Sequence, residues 1–235
     1  MRPDKFRILI IGRANAGKTT ILRVVCGAKG EPDVYDQDGK QRGEHNIEYS
    51  LVFPSSPGFV FHDSRGFESG GIEELELVRE FIQKKASLGS VKNQLHAIWY
   101  CFSTDSNRFM TAAEKEFFDT IDTGTVPVIA IFTKFDALDA AAFSALSEQG
   151  VPFAEAQKRA PEHAQKQFDQ GLLPLIKQLA HPPRAVVCLR SVIQKAASEL
   201  IESTSATLDH DALKVLLIQA QCVNVELCMK AAVDR

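Results

Sequence analysis

The chain has 235 residues, 45% apolar and 24% charged, with a formal net charge of −3; such a composition suits one soluble α/β domain with extensions and leaves two full domains cramped. The balanced charge gives no reason to expect nucleic acid or an anionic membrane as main partner, no stretch is long and apolar enough to span a bilayer, and residues 1–7 lack the apolar run of a signal peptide. Five scattered cysteines (Cys26, Cys101, Cys188, Cys222, Cys228) form no C-x-x-C pair, which argues against a disulfide framework or zinc site and for a reducing, cytoplasmic setting.

Residues 6–11 are apolar with little alternation, the pattern of a central parallel strand covered on both faces. A helix follows and ends near Gly27 or Gly30. Residues 31–46 are polar, carry Gly39 and Gly43 and show no periodicity, so they read as an exposed, mobile loop. Residues 47–53 alternate as a strand, 54–58 hold Pro54, Pro57 and Gly58 as a turn, and 59–62 form the next strand, an antiparallel hairpin. Ile72, Leu75, Val78, Phe81 and Ile82 recur at helical spacing and mark an amphipathic helix over 72–85. A buried strand over 95–103 is followed by a helix over 111–121, with Thr111 as N-cap and Glu114 completing a capping box. Residues 126–132 make another buried strand.

Strands alternating with helices imply an α/β, three-layer, doubly wound fold, a mainly parallel six-stranded sheet with one antiparallel hairpin strand. Residues 137–183 lack strand signals and read as a helical insertion, with helices over 140–146 and 153–168, separated by Gly150 and the second broken by Pro161. The last strand is 185–189. Leu213, Leu216, Leu217, Ala220, Val223 and Leu227 share one face of a terminal helix over about 209–231, packed on the sheet; its polar face is not basic, which disfavours a membrane-surface role.

Three short motifs carry chemistry. Gly12-Arg13-Ala14-Asn15-Ala16-Gly17-Lys18-Thr19 fits G-x-x-x-x-G-K-[ST] between a strand and a helix. Backbone N–H groups from Arg13 to Thr20 can turn toward a polyphosphate, and the helix N-terminus adds its positive dipole end. Lys18 can neutralise the terminal phosphates and the Thr19 hydroxyl can bind Mg²⁺. Asp63-x-x-Gly66 ends a strand, where the carboxylate can hold Mg²⁺ through water and the Gly66 N–H can meet a γ-phosphate, so Lys18, Thr19 and Gly66 are the candidate catalytic groups. Thr133-Lys134-Phe135-Asp136 ends another strand. An aspartate accepts two hydrogen bonds from the N1–H and amino group of guanine, a donor pair that adenine lacks, and the lysine stem can lie over the ring.

The order of these motifs resembles a small GTPase domain of the translation-factor-related class, most of all its Era-like, septin-like and plastid-import branch. Residues 62–68 and 97–102 further resemble stand-alone G domain-containing proteins of fungi. The resemblance covers residues 5–136 and implies binding of GTP and GDP, Mg²⁺ dependence and a nucleotide-switched pair of loops. It also implies a backbone contact to the guanine oxygen after the last strand, where residues 188–191 stand, with Arg190 as candidate. By analogy with septin-like members it implies a homodimer across the nucleotide face. Two positions depart from the pattern. Phe67 stands where many GTPases carry a water-orienting glutamine, and no Ser or Thr lies between Gly30 and Asn46 to serve as the switch threonine. Ser50, Ser55 and Ser56 fall too far into the hairpin; Asp33, Asp36 or Asp38 could bind the ion through water, although exposed loop acids are ordinarily just solvated. Arg13, Arg65 and Arg108 are candidates for an internal charge stabiliser, although surface arginine is the ordinary reading. His62 is read as a packing histidine, and Trp99, Tyr100 and Cys101 as core. The expectation is slow GTP hydrolysis, or a GTP-dependent interaction switch with negligible turnover.

Overall fold

The computed structural model describes residues 5–42, 46–64, 72–86, 88, 93–105, 110–190 and 193–221. In chain order the elements are β1 (Phe6–Gly12), α1 (Lys18–Val25), β2 (Asp33–Tyr35), β3 (Ser50–Val52), β4 (Phe59–Asp63), α2 (Ile72–Ala86), β5 (Ala97–Ser103) and α3 (Ala112–Thr120). There follow β6 (Val128–Thr133), α4 (Asp136–Glu148), α5 (Phe153–Gln167), a π-helical turn (Phe168–Leu172), α6 (Leu173–Lys177), β7 (Ala185–Cys188), α7 (Ile193–Thr207) and α8 (Asp211–Ala220).

The strands form one sheet in the order β2-β3-β4-β1-β5-β6-β7. Alternation along the central strands splits the core into two layers. Ile8, Ile10, Trp99, Cys101, Ile129 and Ile131 face α1, α7 and α8, where they meet Leu22, Leu200 and Leu217. Leu9, Ile11, Tyr100, Phe102, Ala130 and Phe132 face α2 and α3, where they meet Phe81, Phe117 and Phe118. Helices therefore cover both faces, which is why these strands read as continuous apolar runs. The Trp99 indole N–H finds its partner in the Thr204 hydroxyl at 3.1 Å, so the largest buried ring is also hydrogen-bonded to α7.

The β1–β4, β1–β5, β5–β6 and β6–β7 pairs are parallel, and β3 is antiparallel to both β2 and β4. The single reversed strand agrees with the expectation. The strand number does not: among the described residues the sheet has seven strands, because β2 lies within the stretch that reads as a loop. Only Val34 of β2 is buried, so no alternation signals it. Its order comes from backbone pairing to β3 and from the turn that follows, where Asp36 Oδ1 accepts from the Asp38 and Lys40 N–H groups at 3.0 and 2.9 Å and Oδ2 from Arg42 Nε at 2.8 Å. The Lys40 N–H, then the Arg42 side chain, hold the Asp36 carboxyl below the usual carboxylate range. Asp36 is thus a turn-forming acid rather than a free loop acid.

One helical expectation is corrected. Pro161 does not break α5, which runs through it; Ala156, Ala160 and Ala164 repeat every fourth residue along its buried face, the last two against Ala142 of α4, while Pro161 sits on the exposed side. The helix α7 gives little sequence signal because its inner stripe, Ala197, Leu200, Ile201 and Thr204, mixes two aliphatic residues with small and polar ones. Within the expected terminal helix lies α8, with Leu216, Leu217 and Ala220 buried; the rest of the expected span, past 221, lies outside the described residues.

His62 is a packing residue, as expected. It is 1% exposed, its ring centroid is 5.0 Å from that of Phe81, and Nδ1 lies 3.0 Å from the Ile47 carbonyl, which makes Nδ1 the protonated nitrogen. Burial, reinforced by the Lys85 and Arg7 charges, lowers its pKa from 6.5 to about 3. The unfolded chain takes up a proton as pH falls through about 6.5, and the folded chain does not until about 3. The contribution is therefore complete above pH 6.5 and is lost progressively below it, by about 2 kcal/mol at pH 5. Urea unfolding at pH 7 and pH 5 should show this loss in wild type and a shallower one in His62→Leu; equal losses would assign the effect to other groups.

Candidate functional site

The phosphate loop leaves β1 at Gly12, which pairs with Cys101 of β5 and has φ +146°. A Cβ at Gly12 would lie 2.4 Å from the Cys101 carbonyl oxygen, so the strand needs glycine where it turns away from the sheet. The turn continues through Asn15 at φ 60° and Gly17 at φ 78°, ψ 13°, the residue that caps α1. No side chain caps this helix. Its first N–H groups and the positive end of its dipole therefore face outward at the loop, an arrangement suited to an anion.

Lys18 is only 9% exposed, and its Nζ donates to the Gly12 and Arg13 carbonyls at 2.8 and 3.1 Å, which keeps the ammonium within the bend of the loop. Thr19 and Thr20 are exposed at the start of α1, and Ala16 is buried beneath it. Asp63 ends β4 level with Ile10 of β1, and the Ser64 N–H continues that pairing to the Ile10 carbonyl at 3.1 Å. The carboxylate thus emerges at the same sheet end as the loop. A hydroxyl and a carboxylate are hard oxygen donors that fit Mg²⁺. Among the described residues no group of three or more His, Cys, Asp or Glu could hold a metal. Ser55 and Ser56 bond to the Cys26 and Ala220 carbonyls at 3.1 and 3.0 Å, in the turn at the opposite end of β4, too far from the loop to act on it.

The base motif is built at the end of β6. The Thr133 hydroxyl is buried; it donates to the Ala16 carbonyl at 3.1 Å and lies 3.2 Å from that of Phe102. Thr133 therefore straps the phosphate loop to the base end. Lys134 turns the chain at φ 54°, Phe135 is fully buried with its N–H on the Leu189 carbonyl at 3.0 Å, and Asp136 opens α4 with an exposed side chain. A cavity of about 210 Å³ lies between the two motifs; Gly17 and Thr20 line it from the phosphate-loop side, Thr133, Lys134 and Asp136 from the end of β6, and apolar side chains such as Ile21 and Leu200 complete its wall.

Two of the expected arginines have structural partners. Arg190 places Nε and Nη2 on the Asp139 carboxylate at 2.8 and 3.0 Å and stacks 4.7 Å above the Phe135 ring. This bidentate clamp raises its pKa and fixes the β7–α4 junction beside the cavity. Arg13 Nε lies 3.0 Å from Oε1 of Glu114, which is fully buried. The other Glu114 oxygen accepts the Thr111 N–H at 2.6 Å, and Thr111 Oγ1 accepts the Glu114 N–H at 3.3 Å. The capping box legible at 111–114 therefore also anchors the phosphate loop to α3, a role that a separation of about a hundred residues hides from any local pattern. Lys134 has a further partner, Asp105, with Nζ to Oδ2 at 2.7 Å. Gly66, with Arg65, Phe67, Arg108 and Ser191, lies outside the described residues.

Burial pushes the Cys101 thiol, directly beneath Gly12, up to about 12, and those of Cys26 and Cys188 likewise. These are inert packing thiols near neutral pH.

Comparison with known proteins places these motifs in context. A curated relative, GTPase Der of Lawsonia intracellularis (strain PHE/MN1-00), is 26% identical over 132 residues, 56% of this chain and 27% of the relative, so the chain spans about a quarter of that protein. Three solved structures are similar. They are the septin GTPase domain from Chlamydomonas reinhardtii (TM-score 0.40, 14% identity, 62% of this chain and 60% of that one) and the G domain of the T. maritima FeoB iron transporter (0.45, 18%, 86% and 98%). The third is Aquifex aeolicus Era bound to GDP·AlF₄⁻ (0.45, 16%, 89% and 58%). The family model of the 50S ribosome-binding GTPases matches residues 7–134. That span runs from β1 through the phosphate loop and Asp63 to Lys134, over half of the chain, and on this match the chain belongs to the 50S ribosome-binding GTPase family and is a P-loop GTPase.

Proposed function

We propose that this chain binds guanine nucleotides across the cavity between its phosphate loop and base motif, and hydrolyses GTP to GDP and phosphate slowly as an isolated protomer. One observation carries the reading: the Thr133 hydroxyl ties the phosphate loop to the base motif at 3.1 Å, so Lys18 and Asp136 belong to one rigid cleft. In that cleft the N–H groups at the start of α1 and the Lys18 ammonium hold the phosphates, while the Asp136 carboxylate takes the two guanine donors. Thr19 and Asp63 are the residues that would hold Mg²⁺, which when bound neutralises charge on the β- and γ-phosphates. The Gly66 N–H completes the γ-phosphate contacts.

Slow turnover follows from the side chains at hand. Phe67 has no polar group to orient water, and Arg13 is occupied by Glu114 rather than directed at the phosphates. The absence of Ser or Thr between Gly30 and Asn46 favours a second reading, a GTP-dependent interaction switch with negligible turnover. Among the described residues no helix is long and apolar enough to cross a membrane. The cytoplasm is the proposed location and a second copy across the nucleotide face the proposed partner. A turnover rate per molecule that climbs with protein concentration, in the presence of Mg²⁺, supports that pairing, and a flat rate removes it.

The test of the base site is Asp136→Asn. The amide offers an N–H₂ where guanine presents donors, so GDP affinity should fall by on the order of 10²-fold. Binding of a xanthosine nucleotide, whose ring carries a carbonyl in place of the amino group, should improve. ATP displacing GTP from the wild-type chain, or unchanged GDP affinity in the variant, would overturn the assignment.

A further inference from the structure

Lys134 is one of two non-glycine residues with positive φ among those described, the other being Asn15 of the phosphate loop. Two consecutive residues just past β5, Thr104 and Asp105, bond to it. The Thr104 N–H donates to the Thr133 carbonyl at 3.1 Å, and the Thr104 hydroxyl reaches the Lys134 carbonyl at 2.7 Å. The Ser103 hydroxyl, on a buried residue, donates to Asp105 Oδ1 at 2.5 Å, and Lys134 Nζ donates to Asp105 Oδ2 at 2.7 Å. One carboxylate oxygen is thus fixed to the sheet and the other to the lysine. Those two bonds, the lysine's first, hold the Asp105 carboxyl below the usual range.

We propose that Asp105 is a positioning residue for guanine-nucleotide binding, tethering the Lys134 side chain at the base end of the cavity so that its stem is set before the ring enters. The inference rests on the reading of residues 133–136 as the base site. A lysine at this exposed position would otherwise distribute among many rotamers, and ordering it would weaken every binding event. Both members of the pair are about half exposed, with side-chain accessibilities of 42% and 45%. The attraction itself is therefore modest and screened by salt, and the tether acts through preorganisation more than through charge. Asp105 bonds to the residue 133–136 motif rather than to the phosphate loop, so its effect should not depend on phosphate number.

A double-mutant cycle tests this with GDP and GTP titrated calorimetrically into wild type, Asp105→Asn, Lys134→Ala and the double variant. Asp105→Asn should weaken GDP and GTP equally, by on the order of threefold to tenfold. The loss should vanish in the Lys134→Ala background, because there is then nothing to tether. A loss that persists undiminished without Lys134 would show that Asp105 acts on the loop alone and would overturn the proposal, as would Asp105→Asn binding both nucleotides like wild type. Melting of the four ligand-free proteins separates these outcomes from global destabilisation: the cycle in affinity should stand while melting temperatures stay close together. Wild type that binds GDP alongside an unaffected Asp105→Asn defeats only this inference. Wild type that fails to bind GDP defeats the reading of the base site and this inference with it.

Discussion

Lys18→Ala should reduce affinity for GDP and GTP by on the order of 10²-fold, the larger loss falling on GTP, as hydrogen bonds to charged groups contribute about 1.5–3 kcal/mol each. The ammonium is nearly buried and held between the Gly12 and Arg13 carbonyls. Its position is therefore set by the backbone of the loop that is to enclose the phosphates. Neither the exposed Thr19 and Thr20 hydroxyls nor the α1 dipole can replace a full positive charge there. Arg13, the nearest other cation in the loop, is committed to Glu114. Lys18→Arg should not restore binding, because a planar guanidinium cannot occupy the small bend that a point charge fills. Calorimetric titration of GDP, GTP and GMP distinguishes the cases, GMP serving as the nucleotide with no β-phosphate for the lysine to meet. Affinities for GTP and GDP within about twofold of wild type would remove Lys18 from the phosphate site.

The parts of the molecule legible in the sequence are those whose physics is local. β1, β5 and β6 announce themselves because a strand covered on both faces must be apolar throughout, and the Thr111–Glu114 box because capping is decided within four residues. The three motifs are legible because phosphate, metal and guanine each demand particular groups at the end of a strand. What stays hidden is decided at long range. Three-residue β2 owes its place to pairing with β3 and to the Asp36 turn, neither of which needs an apolar pattern. Helix α7 buries Thr204 because the Trp99 N–H lies opposite it. Pro161 is tolerated because α5 is held along its alanine face by α4.

The same division runs through the site. Which residues could touch a nucleotide was readable, but not what holds them still. Glu114 fixes Arg13, Asp105 fixes Lys134, Asp139 fixes Arg190 and Thr133 fixes the phosphate loop, each across a separation that no sequence window spans. Arg13 shows the consequence most directly. From sequence it is a candidate charge stabiliser, with surface arginine the ordinary reading, whereas in the fold a buried carboxylate pairs with it; a fully buried acid such as Glu114 is tolerated only when so paired.

Gly12→Ala should destabilise the fold by about 2–4 kcal/mol, combining the strain of positive φ with overpacking against a neighbour that cannot yield. The added Cβ would lie 2.4 Å from the Cys101 carbonyl oxygen and 3.0 Å from the Cys101 Cβ. Cys101 is paired with Gly12 on one side and with Ile131 on the other, in a strand whose every residue is buried. Relief by moving β5 would disturb both core layers at once. At about 2–4 °C per kcal/mol for a chain of this size, the melting temperature should fall by roughly 5–15 °C, and nucleotide binding should weaken as the loop leaves its place. Gly30→Ala is the control, since a Cβ there meets nothing within 4 Å. Cys101→Gly should not rescue Gly12→Ala, because the nearest obstacle is a backbone oxygen. Rescue by that second change would show that the sulfhydryl side chain, not the β1–β5 backbone approach, requires glycine at the mouth of the phosphate loop.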